Sequence, residues 1–589
     1  MTIKKKPLVF DGAMGTYYAT VSKNPQAKCE LANIHEKDII FKIHKEYIDA
    51  GCKAIKTNTF GANTISLKSD FALVKEVITK GYEIALEATR NTDVLVFADI
   101  GPIPILEMED LWNEYKMIAD LFLDLGANHF ILETFSEDEY LAELSRYIKA
   151  KNPRAYILVQ FAVSPEGYTR FGKSGKKLLA KAQQVPTIDA VGFNCFSGPY
   201  HLLQYIKTLN IDFENNAVSI MPNSGYPTVI DNRTFFENTK EYFAEQMLLI
   251  AKQGVSILGG CCGTTPDFIR ELVVNLENLS TSEIASSLKS AVDIPVKKIV
   301  PKNLLMEKIV AGKKVIAVEL DPPIDTQIDF FMNSAKILKE HGVDAITIAD
   351  CPVAKASADS SLLACKLHRE LGITAIPHMT CRDRNINATK ALLLGLNIEG
   401  VNNVLVVTGD PVPSAQRDEI KSVFNFNSVI LTGFISNLNE TTFSSPFTIS
   451  GALNVNAKNF DAQLKKAKRK IENGMSILFT QPILTDQAVE NLKIARKELP
   501  AKILGGILPL VSYRNARFVD NEISGINVSG EIIEQYKDLS KEEGANLGVK
   551  ISTDIIEKIY PYVDGLYIIT PFKRVDIILQ IIENINLKT

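Results

Sequence analysis

No stretch of this 589-residue sequence is apolar for long enough to span a bilayer. The start, "MTIKKKPLVFDGAMG", has only a three-residue apolar run before Asp11, too short for the core of a signal peptide. Surplus charge is missing as well. Lys and Arg number 65 against 69 Asp and Glu, a formal net charge of −4, which argues against nucleic acid or an anionic membrane as the main partner. Cysteine is too sparse, at eight residues, for a disulfide framework. In a reducing compartment, clustered cysteines more often mean metal or catalysis. No GxGxxG fingerprint follows the first strand of the second half, so a dinucleotide-binding Rossmann fold is not implied there. A cytoplasmic protein is expected.

What is present is the composition of a soluble globular protein, 46% apolar and 23% charged, with length for two or three domains. Short β-branched runs alternate with amphipathic helical stretches. In the first half the candidate strands are 8–12, 54–60, 94–102, 129–135, 156–163, 190–195, 217–225 and 255–263. Strict alternation predicts a parallel sheet, and eight strand–helix pairs in some 280 residues match a (β/α)8 barrel. An open doubly wound sheet is the alternative. A Ser- and Lys-rich stretch with two prolines follows, and the alternation then restarts at 314–321, 345–350, 375–381, 403–410, 447–455, 476–484, 503–512 and 565–572. The fold class expected is α/β, two (β/α)8 barrels in tandem, at 1–283 and 304–589 with a linker at 284–303. Extra helical pattern is expected at 528–563.

Barrel enzymes keep their active sites at the C-terminal ends of the strands. Asp11, Glu133, Cys195, Cys261, Cys262, Glu319, Asp410 and Gln481 all fall there. In "ILGGCCGTTPDF" (257–268) two adjacent thiols share a purpose only if the backbone turns, since a strand would send them to opposite faces. The flanking glycines permit that turn. Cys195 ends the sixth strand and the vicinal pair ends the eighth, next-but-one around a barrel. Three thiols with one open position suit a catalytic zinc that takes a substrate thiol as its fourth ligand. The alternatives are buried inert cysteines, or a structural zinc closed by a fourth ligand such as His201. Cys29, Cys52, Cys351 and Cys365 have no such setting.

"DGAMGT" (11–16), "TNTFGAN" (57–63), "DIGP" (99–102), "ETF" (133–135), "GFNC" (192–195) and "GGCCGT" (259–264), in that order, resemble the motif series of homocysteine S-methyltransferases. The resemblance implies that Cys195, Cys261 and Cys262 are zinc ligands. It also implies that the loop Asp11, Gly12, Ala13 and Met14, with Glu133, holds the carboxylate and ammonium of homocysteine. In the second half "VIAVELDPP" (315–323), "IPHMTCRDRN" (376–385), "VLVVTGDPV" (404–412), "KRKIENG" (468–474), "FTQPI" (479–483) and "GGILPL" (505–510) together resemble methylenetetrahydrofolate reductase. That resemblance implies Glu319 as proton donor to the folate ring, Asp410 beside flavin and folate, and Gln481 on the substrate. His378, Arg469 and Lys470 would bind FAD, with NAD(P)H as cosubstrate.

The expected whole is a bifunctional one-carbon enzyme that makes methyltetrahydrofolate in one half and methionine in the other. No third region is long enough for a corrinoid-binding domain, so the methyl donor could be S-methylmethionine or a methylated corrinoid carried by another protein. A flavin oxidoreductase whose first barrel is a zinc- and thiol-binding sensor or scaffold is the competing reading. A homo-oligomer is compatible with either.

Overall fold

The computed structural model describes residues 6–22, 28–104, 111–213, 215–230, 233–236, 239–277, 303–352, 355–409 and 426–586. The chain divides into two compact units, Met1–Ile294 and Pro295–Thr589. The expected linker, 284–303, lies outside the described residues except for Asn303, which caps the helix Leu304–Val310.

The first unit carries eight parallel strands: β1 (Leu8–Val9), β2 (Ala54–Lys56), β3 (Leu95–Ile100), β4 (His129–Phe135), β5 (Tyr156–Phe161), β6 (Ala190–Asn194), β7 (Ala217–Met221) and β10 (Ile257–Leu258). They are hydrogen-bonded in the order β1-β10-β7-β6-β5-β4-β3-β2. A Phe10–Ala54 bridge joins the ends, with Asp11 N donating to Ala54 O at 2.9 Å, so the wall closes on itself. Between β7 and β10 an antiparallel hairpin is added, β8 (Pro227–Ile230) with β9 (Arg233–Phe236). The second unit is a closed barrel of β11 (Val315–Leu320), β12 (Ala345–Ile348), β13 (Thr374–Thr380), β14 (Asn403–Val407), β15 (Thr448–Leu453), β16 (Ile477–Pro482), β17 (Lys502–Ile507) and β18 (Gly565–Ile569). All sixteen expected strands are present, and the stretch at 528–563 holds helices Gly530–Gln535 and Lys541–Ile559.

Helix starts explain the regular rhythm. Asp359, Asn385, Asn427, Asn459, Thr485 and Ser512 each accept a hydrogen bond from a first-turn amide, so the loops after β12, β13, β14, β15, β16 and β17 each end in a cap. The helices turn one apolar stripe to the wall. In Lys37–Asp49 the buried residues are Ile40, Ile43, His44 and Tyr47, the spacing of one helical face. A second, smaller apolar layer fills each barrel: Phe10, Ala54, Phe97, Ile131, Leu158 and Met221 in the first, and Ala317, Ala345, Ile376, Phe479 and Tyr567 in the second. Because side chains alternate along a strand, residues two positions beyond these plugs form the floor of each mouth. Among the described residues no helix is long and apolar enough to cross a membrane.

Candidate functional sites at the two barrel mouths

In the first barrel, Lys56, Asp99 and Glu133 stand two residues beyond Ala54, Phe97 and Ile131 on the neighbouring strands β2, β3 and β4, and all three are buried. Asp11 joins them from the loop after β1. Its Oδ2 accepts from Lys56 N at 2.9 Å, and its Oδ1 lies 3.8 Å from Lys56 Nζ. Lys56 Nζ reaches Glu133 Oε2 at 3.3 Å, and Asn194 Nδ2 donates to the same oxygen at 3.3 Å. Burial pushes Asp11 up to about 7 in spite of Lys56. Burial also holds Asp99 well above the usual carboxylate range, with Glu133 adding to it. Burial opposes charge on Lys56, but Glu133 and Asp11 outweigh it and keep the ammonium protonated.

The thiols sit on the same rim. Cys195 follows β6 in a left-handed conformation (φ 56°), its amide donating to Met221 O at 3.1 Å. Gly192, earlier on β6, admits β7 so closely that a Cβ there would lie 1.8 Å from Ser219 O. The turn after β10 is laced to its neighbours: Gly260 N to Asp11 O at 3.0 Å, Cys261 N to Pro222 O at 2.8 Å, and Ser224 N to Cys262 O at 3.0 Å. A Cβ on Gly260 would lie 2.2 Å from Thr264 Oγ1, which itself donates to Cys261 O at 2.6 Å. This turn brings the vicinal sulfurs to one side. The Sγ atoms of Cys195, Cys261 and Cys262 all lie within 4.8 Å of one another, with Cys195 and Cys262 at 3.8 Å. Tetrahedral zinc with bonds of about 2.3 Å needs sulfurs about 3.8 Å apart, which the Cys195–Cys262 pair meets and from which the other pairs are at most about 1 Å away. Among the described residues no other group of three or more metal-ligating side chains converges. His201 Nδ1 is engaged with the Tyr226 hydroxyl at 2.8 Å and is not a member of the group.

The thiols disfavour their own ionisation. Hydrogen bonding with Cys261 draws Cys195 down, but contact with Cys262 and burial outweigh it and push Cys195 up to about 12. Contact with Cys195 and burial hold Cys261 well above the ordinary thiol value. Cys262 is drawn down by Cys195 and pushed up further by Cys261 and burial. Three thiolates in one pocket therefore call for a cation among them.

In the second barrel, Glu319, His378 and Gln481 stand two residues beyond Ala317, Ile376 and Phe479. The Tyr567 hydroxyl donates to Glu319 Oε2, and His378 Nε2 faces the same oxygen at 3.5 Å. Burial raises Glu319, opposed by the Tyr567 hydrogen bond. Burial takes His378 down to about 4, so its ring is neutral, and burial with Glu319 keeps the proton on Tyr567. The result is a largely buried carboxyl group with no lysine or arginine paired to it among the described residues, suited to carry and give a proton. Gln481 is re-aimed by a register shift between Phe479 and Pro482. Lys470 is buried, its Nζ donating to Ala452 O at 2.9 Å, and burial lowers it to about 8. It has no ion pair among the described residues, which fits an anionic ligand group. Its neighbour Arg469 is exposed, so the two basic side chains diverge. Asp410 lies outside the described residues.

With both mouths in view, the comparisons with known proteins are decisive about family. The family model described as homocysteine S-methyltransferase matches residues 8–276, and that described as methylenetetrahydrofolate reductase matches residues 305–586. The chain joins these two enzyme families in tandem. Methionine synthases of Mycobacterium leprae and Mycobacterium tuberculosis are 27% and 28% identical over 303 and 322 residues, 46% and 49% of this chain. Those matches cover 24% and 26% of the relatives, so the chain spans about a quarter of their length. The crystal structure of the metallated homocysteine methyltransferase MmuM from Escherichia coli is similar at 19% identity and a TM-score of 0.37, covering 46% of this chain and 96% of that one.

The structure therefore gathers Asp11, Glu133, Cys195, Cys261 and Cys262 at one mouth and Glu319, His378 and Gln481 at the other. Gly12, Ala13 and Met14 form the loop beside the first, where the Tyr47 hydroxyl lies 2.7 Å from both Ala13 O and Thr264 O. Sequence reasoning missed Lys56, Asp99, Asn194 and Tyr567. The signal for the first two was available: on three successive strands a charged residue stands two places after a plug residue.

Proposed function

We propose that the first barrel transfers a methyl group to homocysteine, giving methionine, and that the second reduces 5,10-methylenetetrahydrofolate to 5-methyltetrahydrofolate. The observation that carries the first assignment is the convergence of three cysteine sulfurs within 4.8 Å of one another, one pair at 3.8 Å, beside a buried carboxylate cluster. Cys195, Cys261 and Cys262 would hold a zinc ion, whose chemistry is to deprotonate the substrate thiol and present its sulfur as a nucleophile. The acidic layer of Asp11 and Glu133 orients the amino-acid end. The amides of Asp11 and Ala13 are engaged with Ala54 O and Thr264 O, which leaves those of Gly12 and Met14 as the loop's donors to the substrate carboxylate.

In the second barrel FAD, reduced by NAD(P)H, would supply hydride. Glu319 gives the proton that opens the folate's five-membered ring, with Tyr567 orienting its Oε2. Gln481 would contact the folate, and the family resemblance gives Asp410, outside the described residues, a role beside the cationic intermediate. Lys470 offers its buried ammonium to the flavin's pyrophosphate, and His378 lies at the proton donor. The test is made on the purified full-length chain. Zinc content and visible absorbance come first, then methionine formation from homocysteine with methyltetrahydrofolate, S-methylmethionine and a methylated corrinoid protein offered separately. One zinc and one flavin per chain, with methionine from any of these donors, is the expected result. A chain that binds zinc and homocysteine but makes no methionine would instead support a sensor or scaffold.

A further inference from the structure

A cavity opens on the outer side of the first barrel's wall, at the strand ends, with Tyr115, Phe135, Tyr140 and Phe171 in its lining. Phe135 ends β4, Tyr115 lies in the first turn of the helix Trp112–Asp124, and Tyr140 precedes the helix Leu141–Lys151. Tyr115 and Phe135 belong to the core between wall and helices, not to the plug inside the barrel. The cavity is therefore separate from the mouth that gathers the thiols. Thr134 explains the separation. Its backbone is left-handed (φ 66°) and β4 shifts register there, so Glu133 faces the mouth while Phe135 faces away from it. A regular strand would send both to the same face.

The rings are splayed, not stacked. The Tyr115 centroid lies 6.2 Å from that of Phe135 and 5.7 Å from that of Tyr140, with tilts of 39° and 42°. Tyr115 is fixed by its hydroxyl, which accepts from Ile103 N at 2.9 Å. Charges of both signs share this lining: Glu137, Glu139 and Arg170. Glu137 is met by Lys173 at 3.4 Å. Glu139 and Arg170 are exposed and have no ion pair among the described residues. The Arg170 guanidinium instead lies over the Phe171 ring, 4.8 Å from its centroid.

A ligand that answers this lining carries an anion, a cation and an apolar body. The guanidinium fork matches a carboxylate, and a glutamate accepts from an ammonium. Aromatic faces take methylene groups, and they take a thioether sulfur with additional attraction. A simple carboxylic acid would leave Glu139 unmatched, and a simple amine would leave Arg170 unmatched.

We propose that this cavity is a second amino-acid site, for α-amino acids with an unbranched apolar side chain, with Arg170 on the carboxylate and Glu139 on the ammonium. Methionine is the member of that class that the first barrel would make, so the natural ligand rests on the function proposed above, whereas the site itself does not.

The probe is norleucine, which has a methylene where methionine has sulfur and so cannot ligate zinc. It is titrated by calorimetry into the zinc-loaded full-length chain already saturated with homocysteine, so that the mouth is filled. One norleucine per chain is expected to bind. Hexanoate, which lacks the amino group, and pentylamine, which lacks the carboxyl group, should each bind about tenfold more weakly. Arg170→Leu should weaken norleucine about tenfold, the low end for a hydrogen bond between charged groups because the guanidinium is exposed, and should leave homocysteine affinity unchanged. Glu139→Gln should bring norleucine and hexanoate to equal affinity. No binding of norleucine to the saturated chain overturns the site. Hexanoate binding as tightly as norleucine to the native chain overturns the zwitterion, and an unchanged affinity in Arg170→Leu overturns the location. Should homocysteine itself not bind, the reading of the first mouth falls, and the norleucine titrations still decide the cavity.

Discussion

Zinc uptake by the first barrel is expected to release three protons. The Cys195 thiol stands at about 12, and Cys261 and Cys262 are also held above the ordinary thiol value, so all three carry their protons at neutral pH. Only thiolates ligate, so each proton has to leave as the metal enters. Lowering the pH favours the protonated thiols and drives the metal out; raising it does the reverse. With three protons exchanged, the apparent affinity climbs about a thousandfold per pH unit near neutrality. The assay is competition for zinc between the full-length chain and a chelator of known pH behaviour, repeated at several pH values. The logarithm of affinity plotted against pH should have a slope of about three, and about two in Cys262→Ser, which leaves two thiols. A slope near one in the native chain, or one that Cys262→Ser leaves unchanged, would refute a site built from all three sulfurs.

Three further outcomes are expected. Tyr567→Phe removes the hydrogen bond that opposes the upward shift of Glu319, so the Glu319 pKa rises further. A general acid works below its pKa and fails above it, so the descending limb of the reductase pH profile should move to higher pH; no movement, or movement downward, contradicts the assignment. Lys470→Met should lower the flavin content of the purified protein, read from visible absorbance, while Arg469→Met should leave it unchanged, because only Lys470 is buried. Tyr47→Phe removes the hydroxyl that lies between Ala13 O and Thr264 O and should destabilise the first barrel by about 1–3 kcal/mol in denaturant unfolding; an unchanged transition would mean the loops hold without it.

Much of this architecture is legible in the sequence because the barrel repeats one unit. The strands announce themselves by β-branched runs, and most loops after the strands of the second barrel end in a capping residue, as Asp359, Asn385 and Thr485 do. The hairpin β8–β9 is also legible, as Thr-Val-Ile before and Arg-Thr-Phe-Phe after Asp231 and Asn232, but it breaks the strand–helix rhythm that the other elements keep. Vicinal cysteines among glycines are rare enough to point at a metal site. Lys56 and Asp99 are legible once the plug residues two places before them are known, but Tyr567 is harder. It lies inside a run that reads as a strand, and its meaning depends on which way the side chain points. That direction is set by the register of neighbouring strands, which no local pattern states. Lys470 and Arg469 show the same limit in a helix: adjacent and alike in sequence, they differ in burial because the helix turns about 100° between them.

The two mouths meet opposite electrostatic demands with the same device, a polar residue placed two positions beyond an apolar plug. In the first, like charges are gathered: Asp11, Asp99 and Glu133 share one lysine and stand beside three thiols. Such a layer is costly without cations, and that cost is what would make the binding of a metal and an ammonium favourable. In the second, no lysine or arginine pairs with the acid among the described residues, and the nearby charge that acts on it is another carboxyl group, Asp321. Glu319 has a neutral imidazole at 3.5 Å and an un-ionised phenol on its Oε2, and neither stabilises the carboxylate as a lysine would. Its proton is therefore held more tightly than in water, yet remains available to a base brought against it. A lysine at position 378 would abolish this, and an uncharged residue at position 56 would leave Glu133 without its cation. The placement of a single basic side chain thus separates a mouth built to collect cations from one built to keep and deliver a proton.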